Sequence, residues 1–214
     1  MNELLAWLAT LVTIAVLVAY EAVLTVAQRR RPERMARSAH AALREDWFTA
    51  VSQHKGSEIL AVQTLRNSLM SATMTASTAM LGLIGTVTLA APSLHASFGE
   101  AAMLPSLNPR LVLELLLVAL LFASLVCSAM AVRYYNHVGF ISGMPVESDA
   151  RKRWAAAGVT YVRRAGVLYS WGLRHLILVA PILACLLHPL AGPIAAALTV
   201  VALVRFDRVA EWHA

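Results

Sequence analysis

The sequence predicts an all-α, polytopic helical membrane protein with four to five transmembrane helices and one amphipathic helix on the cytoplasmic side. Three observations carry that expectation. Apolar residues fill 59% of the 214 positions and charged residues only 14%, where a soluble domain carries about 25%. The charges are clustered, with one block from Arg29 to Arg37 and another from Arg151 to Arg164. Between the blocks lie apolar runs of roughly 20 residues or more, the length a helix needs to cross about 30 Å of hydrocarbon. The net charge of +6 then reads as basic cytoplasmic loops rather than affinity for nucleic acid, and no nucleic-acid partner is expected.

The first span is 4–27. It has no arginine-rich leader and no small-residue cleavage site, so it reads as a retained helix. Glu21 interrupts its last third and either reaches headgroup water or turns inward to pair with an arginine. Residues 28–56 form a cytoplasmic segment, because Arg29, Arg30, Arg31, Arg34 and Arg37 put the N-terminus on the far side. Within it, Ser38 to Lys55 predicts an amphipathic helix along the inner membrane surface. Ala42, Trp47, Phe48 and Val51 make its apolar side, and Arg44, Glu45, Asp46 and Gln53 face elsewhere. Ser57 is the expected N-cap of the next helix.

The second span, 58–90, is the most distinctive. Gln63, Arg66, Asn67, Met70, Met74 and Ser77 share one helical face. Ser68, Ala72 and Ala76 repeat at four-residue spacing, as do Ser71, Thr75 and Ala79, which lets helices approach closely. Pro92, Pro105 and Pro109 mark an external connection from Ala91 to Arg110. The third span is 111–133, with Glu114 reaching the outer interface and Arg133, Tyr134 and Tyr135 anchoring its inner end. A second cytoplasmic segment, 143–164, starts a short helix at Glu147, Ser148 and Asp149. The fourth span, 165–187, carries Trp171, Arg174 and His175 in its inner half, and Pro181 predicts a kink. A turn with Pro189 and Pro193 favours a fifth, short span over 191–206 instead of one broken helix.

Several of these residues resemble a family. The string from Ala61 to Asn67 (AVQTLRN), followed by Met70 and an alanine, serine and threonine run, is similar to a bacterial and plant membrane-protein family classed only as a domain of unknown function. Arg133, Gly172-Leu173-Arg174, Pro181-Ile182, Gly192-Pro193 and Asp207 extend the likeness over nearly the whole chain. Where the family has an aromatic pair after the arginine of the fourth span, this chain has His175-Leu176. The resemblance implies a multi-span membrane protein and supplies no activity.

The polar residues of the spans supply the functional expectation. Gln63, Arg66, Asn67, Arg133, Arg174 and His175 all fall toward the cytoplasmic side, with Glu21 as an ion-pair partner. Three arginines against one glutamate call for water, phosphate or a bound anion between them. The reading is an oligomeric channel or carrier whose arginine-lined cytoplasmic vestibule favours anions. The alternative is a non-catalytic accessory or scaffold subunit of a larger membrane complex, with the charges purely structural. No enzyme is expected, since no G-x-S-x-G, Walker A, H-E-x-x-H or G-x-G-x-x-G occurs. No cofactor is expected either. His137 and His188 belong to opposite sides of the membrane, a poor match to paired haem ligands, and Cys127 and Cys185 read as packing residues. A quinone pocket stays open. The expected partners are the lipid bilayer and a homo-oligomer or membrane-complex partner, in the cell inner membrane.

Overall fold

Caps and helix breakers, rather than polarity, set the helix ends at Gly143 and Ser148. The computed structural model describes residues 3–32, 35–98 and 107–207. These form six helices: α1 (Glu3–Arg30), α2 (Ala36–Gln53), α3 (Glu58–Phe98), α4 (Pro109–Ser142), α5 (Asp149–Leu187) and α6 (Ala191–Asp207). Arg34 and Pro105 lie outside the described residues. The cap of α4 is Asn108, whose side chain accepts from the Leu111 N–H at 2.8 Å, with Pro109 in the first turn. Ser148 caps α5 in the same way, accepting from the Arg151 N–H at 3.2 Å.

Three expected boundaries move. Segment 149–164 is rich in alanine, arginine and lysine, all good helix formers, so the expected short helix runs straight into the fourth span as the 39-residue α5. α4 likewise passes Arg133 and stops only at Gly143, and α3 passes Pro92. Pro92 and Pro181 both sit inside helices, as prolines can where neighbouring helices and hydroxyls satisfy the freed backbone.

Four helices (α1, α3, α4 and α5) are long and apolar enough to cross a membrane. The 17-residue α6 turns at 188–190 and folds back along α5, which sets Asp207 against Arg174. The outer surface carries Leu11, Val18, Leu81, Ile84, Phe122, Leu183 and Leu198 exposed. An apolar belt of that extent suits acyl chains and not water.

Inside, the long antiparallel pair α4–α5 is the spine. Helices approach where side chains are small. At Gly172 of α5 the Ser124 hydroxyl of α4 donates to the glycine carbonyl at 2.7 Å, and an added Cβ would overlap Ser128. Hydroxyls elsewhere turn back on their own helix, as Thr13 does to Ala9 O (2.8 Å) and Thr86 to Gly82 O (2.8 Å), so they cost little in an apolar setting. Gly172→Val is expected to destabilise by about 1–3 kcal/mol by wedging α4 from α5, whereas Gly139→Ala, with nothing within 4 Å of the new methyl, should stabilise slightly. Unfolding of the detergent-solubilised protein in SDS titrations checks both.

α2 packs lengthwise on α5. Its inward line of Arg37, Ala41, Arg44, Phe48 and Ser52 runs antiparallel to α5, meeting Trp171, Gly166, Gly158 and Arg151 in turn. Ala41, not Ala42, is buried, and Arg44 faces α5 because Gly166 leaves room for its guanidinium. Arg151, 1% exposed, donates to the carbonyls of Ile141 and Met144 and to Ser52 Oγ (3.1 Å), closing the C-terminal end of α4 onto α2. Ser57 stands at the N-cap position of α3, its carbonyl accepting from the Ala61 N–H at 2.9 Å, but its side chain does not serve that helix. Its hydroxyl lies 2.7 Å from Val51 O and 2.6 Å from His54 O, serving the end of α2, and Gly56 makes the turn at φ +88°. Glu114 is buried and held by Arg110 at 2.8 Å instead of reaching the interface, and Tyr135 is buried in the core instead of anchoring it.

Candidate functional site

One cluster of ionisable side chains gathers between helices near the middle of α5, around the buried Arg174. Trp171, Arg174 and His175 project together because they stand at i, i+3 and i+4. α1 supplies Tyr20 and Glu21, α6 supplies Asp207, and the first turn of α2 supplies Arg37. Arg174 is 6% exposed. Its Nη1 donates to Tyr20 Oη and to Asp207 Oδ2 (3.1 Å), and its Nη2 donates to Asp207 Oδ1, so the guanidinium fork engages both carboxylate oxygens. Tyr20 in turn donates to Asp207 Oδ2. Glu21 Oε1 stands 3.9 Å from Arg174 Nη1, an ionic contact without a hydrogen bond.

Arg37 forms the second half. Its Nη1 donates to Gln28 Oε1 at 2.9 Å, and its guanidinium lies over the Trp171 ring, 4.2 Å from the centroid. Trp171 stacks on His175, with centroids 5.6 Å apart and planes 22° apart. Burial, and then the neighbouring Arg174 charge, push the Arg37 pKa down, while Asp207 and Glu21 oppose that shift. Two arginines and two carboxylates therefore share the cluster and their formal charges cancel, with Arg174 paired to both acids and Arg37 held by Gln28 and Trp171.

The structure brings Glu21, Arg174 and His175 together and leaves Gln63, Arg66, Asn67 and Arg133 out. Those four are exposed. α3 turns the opposite face to α4, through Ala61, Leu65, Ala72, Thr75, Ala79, Thr86 and Ala90, whose steps of three, four and seven residues make a coiled-coil seam. The depth expectation fails for a second reason. Leu65 packs in one cluster with Tyr135, Val138 and Val162, and Glu58 accepts from the Val146 N–H at the turn after α4. The polar face of α3 thus belongs to the part of the bundle beside the α4–α5 turn, where arginine can be hydrated at little cost. Arg66→Ala and Arg133→Ala are each expected to change stability by no more than about 0.5 kcal/mol, read in the same SDS titration.

The sequence reading used neither Arg37 nor Asp207 in the site. A usable signal for Asp207 was present, since Arg174 and Asp207 stand at comparable rises from the 188–190 turn and are of opposite charge. Arg37 carried none, because its place depends on how α2 docks. Among the described residues no group of three His, Cys, Asp or Glu side chains converges as a metal site requires.

Comparisons with curated proteins and with solved structures find no match. The model of the family described as Protein of unknown function, DUF599, matches residues 8–212, and the chain belongs to that family.

Proposed function

We propose that the chain is a non-catalytic subunit of a membrane assembly, in which the buried charges fasten helices and conduct nothing. The observation that carries this reading is the pairing of Arg174 with Asp207 and Tyr20. An anion pathway needs cations left free to meet the ion, whereas both terminal nitrogens of Arg174 are occupied by Tyr20 and Asp207. We propose further that it lies in the cell inner membrane with the basic end in the cytoplasm and the N-terminus outside. Arg29, Arg30, Arg31, Arg163 and Arg164 on one side of the spans support that orientation. α3 is the face offered to a second copy or another membrane subunit. It uses a single seam against α4, and Ser71, Thr78 and Gly85 stay exposed at seven-residue spacing, where another helix can approach closely.

Purified protein in liposomes, tested with a chloride or nitrate gradient, is expected to show the flux of protein-free vesicles. The Arg174→Met/Asp207→Leu double variant is expected to keep the oligomeric size of the wild type. Flux above background that vanishes in a folded Arg174→Met variant would overturn the reading. The second reading, an oligomeric anion channel or carrier, is favoured by one observation. Arg66 and Arg133, on adjacent helices, have no acidic side chain within 4 Å among the described residues. Only copies arranged about an axis gather such outward groups into a ring. Flux that is lost in Arg66→Ala and Arg133→Ala but kept in the Arg174→Met/Asp207→Leu variant would select it.

A further inference from the structure

A second, open hollow lies at the basic end, between α5, α2, α4 and the end of α1, with a volume of about 780 Å³. Its main wall is one face of α5. Thr160, Arg163, Arg164, Val167 and Leu168 follow one another at i, i+3, i+4, i+7 and i+8. That face changes character along the helix axis. Toward the 143–148 turn it offers a hydroxyl and two guanidiniums with Val159 beside them, and toward the middle of α5 it offers two aliphatic side chains. The change takes place within about 6 Å of rise, from Arg164 to Leu168.

The charges in the hollow do not balance. Arg163 is held by Glu45 of α2 at 3.0 Å. Among the described residues the polar partner of Arg164 is Tyr134, by a 3.4 Å contact to its hydroxyl and by lying 6.0 Å from its ring centroid. Among the described residues no carboxylate lies within 4 Å of Arg164. This contrasts with Arg174, which meets both Glu21 and Asp207. Gln28 of α1, whose oxygen is taken by Arg37, closes the far side with its amide N–H groups free to donate. The hollow therefore gathers donors and one uncompensated positive charge at the level where a spanning bundle meets headgroups, directly beneath an apolar wall.

We propose that this hollow is a binding site for an anionic phospholipid. The phosphate sits against Arg164 and Thr160, and one acyl chain runs along Val167 and Leu168. A free anion would use the donors and leave the apolar wall wet, and a zwitterionic lipid would bring its own cation to a site that already has an excess of positive charge. The inference rests on the basic end facing an anionic leaflet and is independent of whether the chain conducts ions.

Native mass spectrometry and thermal melting of the full chain in detergent test it, with phosphatidylglycerol, phosphatidylcholine and inorganic phosphate as the probes. Wild type is expected to retain phosphatidylglycerol about tenfold better than phosphatidylcholine and to melt higher only with the former. Arg164→Gln should lower phosphatidylglycerol retention about tenfold, because a charge-assisted hydrogen bond is lost. Arg164 is exposed, so the variant should fold as wild type does. Arg153→Gln, on the same helix but outside the hollow, should leave retention unchanged. Equal retention of the two lipids, or equal losses in Arg164→Gln and Arg153→Gln, would overturn the site in favour of a diffuse basic belt. Inorganic phosphate that raises the melting temperature as much as the lipid does would overturn the lipid assignment.

Discussion

Arg174→Met, made with Asp207 left in place, is expected to lose about 3 kcal/mol of stability, the low end for stripping a buried charge of its partner, because the Asp207 side chain keeps 16% of its surface exposed. The loss follows from the geometry. Asp207 receives both ends of the guanidinium fork and the Tyr20 hydroxyl, and after the substitution only Tyr20 remains to it. Adding Asp207→Leu should return most of the loss, since apolar replacements of similar volume for a whole ion pair are often neutral. The coupling between the two changes, from SDS titrations of both single variants and the double, is the informative quantity. Additive losses would mean that the pair is not the fastener argued for above.

The second large effect is expected at Phe48. Phe48→Ala should cost about 3–5 kcal/mol, the range for emptying a fully enclosed aromatic site. The ring is 0% exposed and fills the notch left by Gly158, where an added Cβ would overlap it. Little else is positioned to collapse into that space, because the notch faces helix backbone. Phe48→Leu should cost about 1–2 kcal/mol, as most of the volume is kept. The damage should be local. α2 is held to α5 by Phe48, by Arg44 over Gly166 and by the Arg151–Ser52 bond, so hydrogen exchange in 36–53 should quicken before the spans respond. Uniform quickening across all helices would show instead that α2 and the spans unfold as one unit.

The membrane class was legible because composition and apolar run length depend on no tertiary detail. Helix ends were less so. The expected edges at Ala90 and Arg133 follow polarity, yet a helix leaving the bilayer keeps its hydrogen bonds and stops only at a cap or breaker such as Gly143 or Ser148. The candidate site was half legible. Arg174 stood out because it lies too deep in its helix to reach the surface, and Glu21 because an acid there needs a partner. Arg66 and Asn67 lie apart from the Arg174 cluster for a physical reason. A polar face on a long helix marks either a buried contact or the part that projects into water, and helical spacing is the same for both. Only the seam from Ala61 to Ala90 tells them apart, and its alanines and threonines are too small and too mild to announce a core in the sequence.

The pinning of α6 has a consequence for the surrounding lipid. The helix is fixed at one level where Gly192 packs on Cys185 and Thr13, and at another where Asp207 meets Arg174. Between those two levels, residues 192 to 207 rise about 23 Å. Held at both, α6 cannot tilt or slide independently of α5. A change in bilayer thickness along this flank must therefore be met by the acyl chains and not by the helix, at a fraction of a kcal/mol for each ångström of mismatch.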